Sequence, residues 1–146
     1  MKNADRVIQI LVVEDDPDDI VFLELAFQQI AFAVEFKHIY DPDNLSTSLD
    51  TVNADFVFLD IVLGRKDGVS FLREIRQNAT HRKLPVIIYT SLDHPEQINR
   101  CHSHGANYYI IKPISVQELS AKVKRVMEFD WKSSSTTPPL SNFVIY

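Results

Sequence analysis

A chain of 146 residues, 45% apolar and 24% charged, holds one core and leaves no room for a second domain of ordinary size. Its 20 acidic and 15 basic side chains give a net charge of −5 with nothing basic accumulating along the chain, which argues against a nucleic-acid binder. One cysteine, Cys101, excludes a disulfide-stapled secreted scaffold, and no apolar run suits a membrane span or signal segment, so a cytoplasmic domain is expected.

Val7–Val13 is a short, β-branched apolar run that stops at Glu14-Asp15-Asp16, the pattern of a strand buried on both faces. Pro17 then opens a helix whose apolar positions Ile20, Leu23, Phe27 and Ile30 step at helical intervals. Val34–Ile39 reads as a second strand, and Leu45, Leu49 and Val52 mark a helix after a turn at Asp41-Pro42. Phe56–Leu59 is a third strand that runs straight into Asp60. A loop from Gly64 to Gly68 follows, then a helix marked by Val69, Leu72 and Ile75. Pro85–Tyr89 is the fourth strand, and Pro95–Ser103 a weakly amphipathic helix stopped by Gly105. Asn107–Ile111 is the fifth strand, and Val116, Leu119, Val123 and Val126 mark the last helix.

Strict alternation of strand and helix predicts a doubly wound, flavodoxin-like α/β fold with helices on both faces of a five-stranded parallel sheet in the order 2-1-3-4-5. This domain is expected over residues 1–130. Residues 131–146 form a Ser/Thr/Pro-rich tail that cannot build a core. Its last four residues, Phe143 to Tyr146, are apolar again, and a frayed end is favoured over a docked one.

Open α/β sheets place their sites beyond the carboxyl ends of the strands. Here those ends carry Glu14, Asp15 and Asp16, then Asp60, then Thr90 and Ser91, then Lys112. In the expected strand order these residues share one crevice. Two carboxylates about 5 Å apart repel by about 3 kcal/mol at an effective dielectric near 20, so the crevice calls for a cation. Oxygen ligands alone, with open positions for water and a phosphoryl group, suit Mg²⁺. No His or Cys stands at a strand end, which argues against zinc. With Glu14 and Asp15 on the metal, Asp60 is placed to act as a carboxylate nucleophile toward phosphorus. Lys112 and the metal would neutralise the phosphoryl oxygens, and the Thr90 hydroxyl would bond the attached group. Taken singly, Thr90 reads as a cap and Lys112 as a solvated surface lysine; landing together on one edge, the set reads as a site.

At these residues the sequence closely resembles the receiver domain of bacterial two-component response regulators. The matching stretches are ILVVEDD at Ile10–Asp16, FVFLDIVLGRKDG at Phe56–Gly68, IIYTS at Ile87–Ser91 and GANYYIIKP at Gly105–Pro113. The resemblance implies that Asp60 takes a phosphoryl group from a phosphohistidine on a sensor kinase or phosphotransfer protein. It implies Mg²⁺ held by Glu14, Asp15, Asp60 and the backbone carbonyl of Val62. Thr90 and Tyr109 would be a switch pair that alters the face made by the fourth helix, fifth strand and fifth helix. Lys112 would pair with the phosphoryl group, before a Pro113 junction where a cis peptide is common in the family. The chain is thus expected to be a relay and not a turnover enzyme. Too little chain follows for a DNA-binding output domain, so output is expected through a downstream protein target, with a homodimer through the switch face as a further expectation. Some details resemble stand-alone receivers that partner phytochrome-type and other hybrid kinases.

Three positions depart from the family pattern. Gly64 stands where Pro is usual, which predicts a looser loop. Ser91 replaces the commoner Ala. Val62 offers no polar group to orient a hydrolytic water. A flavodoxin-like FMN carrier would share the fold, but three acids in the first loop would repel its phosphate. A haloacid-dehalogenase-type phosphatase needs a second Asp where Val62 stands. The serious rival is a degenerate receiver that acts as a phosphorylation-independent interaction module. Among the remaining residues, His94, His102 and His104 read as solvated, Cys101 as buried, and Tyr108 as facing away from the Tyr109 side of its strand.

Overall fold

The computed structural model describes residues 6–39, 43, 45–131 and 137–146. The turn expected at Asp41-Pro42 lies outside them, as do residues 132–136 of the expected tail. The first apolar run forms β1 (Ile8–Val13), and Pro17 opens α1 (Pro17–Gln28). β2 (Val34–Ile39), α2 (Leu45–Val52) and β3 (Phe56–Leu59) follow with the bounds their apolar positions indicate. Two short strands, β4 (Val62–Leu63) and β5 (Lys66–Asp67), then precede α3 (Val69–Gln77). β6 (Val86–Thr90), α4 (Pro95–Ser103), β7 (Tyr108–Ile111) and α5 (Val116–Glu128) complete the alternation. A last helical turn, α6, spans Leu140–Phe143.

The main sheet has the order β2-β1-β3-β6-β7, and all four of its pairings are parallel. This is the expected 2-1-3-4-5 arrangement, with the β4–β5 pair outside it. Strands β1, β3 and β6 are buried at nearly every position because helices cover both faces. One apolar layer gathers Val57, Leu59, Ile88 and Tyr109 against α2, α3 and α4. The other gathers Val12, Phe58, Ile87 and Ile110 against α1 and α5. Tyr108 belongs with the second layer, stacked on Phe129 at 4.4 Å between ring centroids, so it does face away from Tyr109. Trp131 joins that cluster edge-on to Phe56 and donates its indole N–H to the Val126 carbonyl. Among the described residues no helix is long and apolar enough to cross a membrane.

Two expectations are corrected. The segment after Asp60 is no loose loop: β4 and β5 form a tight antiparallel hairpin with Leu63 opposite Lys66. Gly64 sits in its turn at φ 59°, a conformation closed to proline, so the departure from the family pattern is what allows this hairpin. Nor does the C-terminus fray. Phe143 and Ile145 are buried as deeply as any core residue, and Val144 bridges to Tyr109 on β7. The Lys112–Pro113 bond is trans, as are all described peptide bonds.

One half-buried cation ties α3 to the segments that flank the sheet. Arg76 on α3 donates to the carbonyls of Gly105, Leu84 and Arg82 and to the Asn107 side chain, at 2.7–3.1 Å. Asn107 Oδ1 also accepts from the Val86 N–H. Burial pulls the Arg76 guanidinium down to about 10, yet leaves it charged at neutral pH. Arg76→Met would strand these acceptors and is expected to cost about 3 kcal/mol. Urea unfolding checks this; a loss well below 1 kcal/mol would show that water replaces the guanidinium.

Candidate functional site

The acid pocket is assembled by strand ends and one helix start. β1 ends at Val13 and delivers Glu14, which is only 2% exposed. Its backbone N–H donates to the Ile39 carbonyl, and its Oε1 accepts from the Asp16 N–H. Asp16 caps α1 by accepting from the Asp18 N–H at 2.9 Å, so of the three consecutive acids one is taken by the helix. β3 delivers Asp60, whose backbone N–H donates to the Val13 carbonyl and whose Oδ1 accepts from the Val62 N–H at 2.9 Å.

Lys112, following β7, reaches back across these strand ends. Its Nζ donates to Glu14 Oε2 at 2.8 Å, Asp60 Oδ2 at 2.8 Å and Asp19 Oδ2 at 2.6 Å. The ammonium stands over the Tyr89 ring, with Nζ 5.2 Å from its centroid. Lys112 is 12% exposed in its side chain, so the solvated-lysine alternative does not describe it. Burial opposes its charge, but the bonds from Asp19, Asp60 and Glu14 hold the ammonium well above the usual lysine range. Burial also pushes the Glu14 carboxyl up to about 7, against the pull of Lys112 and with the help of the Asp60 charge.

The two remaining members stand beside this knot. β3 and β6 are neighbours with Leu59 opposite Ile88, so Asp60 and Thr90 emerge from adjacent strand ends. Thr90 is fully buried and its Oγ1 accepts from the Leu92 N–H at a long 3.5 Å. Tyr109 lies opposite Ile88, hence on the same sheet face as Thr90. It is fully buried, and its hydroxyl donates to the Leu92 carbonyl at 2.7 Å. Thr90 and Tyr109 therefore share one turn, the bend at Leu92.

Asp15 takes a different position from Glu14 and Asp60. It is exposed, and its carboxylate points at the Gly64 turn, 3.7 Å from where a Cβ would stand on that glycine. Asp19 holds the third place around Lys112 instead: carboxylate oxygens of Glu14, Asp19 and Asp60 lie within 4.8 Å of one another. The sequence alone does not single out Asp19. An acid in the first turn of a helix is ordinary, since the helix dipole favours it there, and only its alignment over the pocket sets it apart. Val62 lies on the rim with an exposed side chain, its N–H spent on Asp60. Among the described residues no histidine joins a metal-binding group, and Cys101 is buried with its thiol pushed up to about 12 by burial. His102 is only partly exposed and bonds the Pro138 carbonyl, so it is not a freely solvated ring.

These residues pass a test of fit for a hard divalent cation. Every donor is a carboxylate oxygen, the set carries more negative charge than one lysine balances, and Lys112 already places a positive charge at its centre.

The doubly wound sheet with its acids at the strand ends is a flavodoxin-like architecture with its site at the expected edge. The sequence pattern of the Response regulator receiver domain matches residues 10–124, and the chain belongs to this receiver family of two-component systems. The transcriptional regulatory protein KdpE of Staphylococcus aureus is 30% identical over 132 residues, covering 88% of this chain and 53% of its own. The phosphate regulon transcriptional regulatory protein PhoB of Escherichia coli is 32% identical over 120 residues, covering 82% and 51%. The chain thus spans about half the length of these curated relatives. Among solved structures, the phosphorylated cyanobacterial phytochrome response regulator RcpA has a TM-score of 0.75 at 24% identity, over 91% of this chain and all of its own. The Mn²⁺-bound form of response regulator Rcp1 has a TM-score of 0.71 at 24% identity, over 90% and 99%. These two share the fold.

Proposed function

We propose that Asp60 accepts a phosphoryl group from a phosphohistidine on a sensor histidine kinase or phosphotransfer protein, and that the chain passes the signal on by protein contact. The observation that carries this reading is the ion knot at Asp60: a buried carboxylate held by one ammonium and one backbone N–H, beside a second buried acid. An Asp60 oxygen attacks phosphorus as the donor's N–P bond breaks. The imidazole nitrogen leaves with that electron pair and takes up a proton. Glu14, Asp60 and the Val62 carbonyl, with Asp15 turned in from its exposed position beside the Gly64 turn, would hold Mg²⁺, which would supply positive charge to the phosphoryl oxygens. Asp19, bonded to Lys112 Nζ at 2.6 Å, keeps the ammonium in reach while Glu14 and Asp60 turn to other partners. Lys112 then pairs with the phosphoryl oxygens and the Thr90 hydroxyl bonds one of them.

A protein donor fits the surroundings. Val21 and Leu25 on α1 and Ile114 after Lys112 are exposed apolar side chains on segments that also supply the pocket's Asp19 and Lys112. Incubation with a small phosphodonor and Mg²⁺, followed by intact mass, tests the proposal. One added phosphoryl group, lost when the metal is chelated, supports it. No gain from any donor, a cognate kinase included, would leave the degenerate interaction module.

The pocket's pH dependence has a definite sign. Glu14 is held at about 7 when folded and titrates near 4.5 as a free side chain. Its contribution to stability is therefore intact at low pH and falls as pH rises from about 4.5 through about 7. Metal competes with that proton, so the rise in Tm produced by Mg²⁺ is expected to grow from about pH 5.5 to about pH 8. Equal shifts at both pH values, measured by thermal unfolding, would contradict the assignment of Glu14 to the metal.

A further inference from the structure

The segment 137–146 has no part in the phosphoryl chemistry, yet it is seated like core. Val144 makes a parallel bridge with Tyr109, and the Ile145 N–H donates to the Tyr109 carbonyl at 2.9 Å, so the segment lies along the open edge of β7. The Phe143 ring packs 5.0 Å from His102 on α4 and 5.9 Å from Tyr109. The Thr137 hydroxyl donates to the Ala106 carbonyl, His102 Nε2 bonds the Pro138 carbonyl, and the Arg125 guanidinium on α5 donates to the Tyr146 carbonyl. An edge strand offers its backbone groups to any extended chain, and this segment takes the Tyr109 carbonyl through a single parallel bridge.

We propose that residues 137–146 are a self-docked strap on a strand-binding surface formed by α4, the free edge of β7 and α5, and that loading of Asp60 loosens it. The surface so opened accepts an extended apolar segment of a partner protein with an aromatic and a β-branched residue two positions apart, the pattern of Phe143 and Ile145. This inference rests on Asp60 being the phosphoryl acceptor.

The coupling runs through contacts already described. The Thr90 hydroxyl accepts from the Leu92 N–H, and the Leu92 carbonyl accepts from the Tyr109 hydroxyl. A Thr90 hydroxyl drawn toward a group on Asp60 pulls on that turn and carries the Tyr109 ring with it. Movement of the ring toward Thr90 withdraws packing from beneath Phe143 and bends the backbone that holds Ile145. The docked strap and a Tyr109 ring drawn toward Thr90 thus oppose each other. By linkage, loosening the strap must in turn favour the loaded state.

The test uses the full chain with Mg²⁺ and beryllofluoride as the phosphoryl mimic, with fluorine resonances reporting occupancy of Asp60. Protection of the Ile145 amide against hydrogen exchange is expected to fall roughly tenfold or more on loading, while Ile110 in β7 keeps its protection. Unchanged Ile145 protection with the mimic bound would overturn the strap. Failure of the mimic to bind would instead overturn the Asp60 reading, and the coupling with it. Protection that depends on protein concentration would place the segment on a second copy and overturn self-docking. Phe143→Ala, and the milder surface change Arg125→Ala, are expected to tighten mimic binding severalfold; unaltered affinity in both would contradict the linkage.

Discussion

Lys112→Met is expected to destabilise the metal-free protein by about 3–5 kcal/mol at neutral pH. The native ammonium makes three bonds of 2.6–2.8 Å to Glu14, Asp19 and Asp60, two of which are almost wholly buried. Methionine fills much of the same space but leaves that negative charge to face itself in a poorly hydrated pocket. The sign with pH follows directly. Without the lysine, the pull that lowers the Glu14 carboxyl is gone and its proton is held more firmly, so the deficit shrinks as pH falls and grows as pH rises. Mg²⁺ supplies charge to the same oxygens, so the variant is expected to gain more stability from the metal than the wild type does. Urea unfolding with and without Mg²⁺ checks both statements. A metal-free variant as stable as the wild type would mean that the three acids do not depend on Lys112 for balance.

Gly68→Ala is expected to cost roughly 3 kcal/mol or more and to impair phosphoryl acceptance along with stability. A Cβ on Gly68 would stand 2.3 Å from the Asp60 carbonyl oxygen and 2.5 Å from the Ile61 Cα. Both are backbone atoms, with no side-chain rotation to relieve the overlap. Its φ of −61° is open to any residue, so the constraint is space alone. The start of α3 is thereby pressed against the strand end that presents Asp60, fixed also by the Gly68 N–H donating to the Ile61 carbonyl. Gly64 is the informative contrast. There a Cβ meets nothing closer than Asp15 Oδ2 at 3.7 Å, but φ is 59°, so Gly64→Ala should cost only about 1 kcal/mol in backbone strain. Thermal unfolding of the two variants side by side tests the distinction. If the Gly64 change proved the costlier, the close approach at Gly68 would not be what holds the Asp60 loop.

The sheet was legible because buried strands and helices leave periodic apolar signatures. Val34–Ile39, Phe56–Leu59 and Pro95–Ser103 have their expected bounds, and the acids, the hydroxyl and the lysine stand at the strand ends that the alternation predicts. What escaped has physical reasons of its own. The β4–β5 hairpin has two residues per strand, too few to show a period. Asp19 looks like any first-turn acid until α1 is laid over the pocket. Arg76 sits on a polar-looking stretch of α3 and binds three carbonyls from two separate segments, a pairing no local pattern encodes. Phe143 and Ile145 follow a Ser/Thr/Pro-rich stretch whose composition suggests a frayed end. Their burial depends on the open edge of β7, a property of the assembled sheet and not of the tail.

The central claim is that Asp60 carries the phosphoryl group. Its most direct test is hydride reduction of protein loaded by a small phosphodonor in Mg²⁺, followed by peptide mass mapping. An acyl phosphate at residue 60 is reduced to the alcohol, so the account predicts homoserine in place of Asp60 in loaded wild type and no reduced residue in Asp60→Asn. Reduction at another carboxylate, or none in protein that has gained a phosphoryl group, would contradict it.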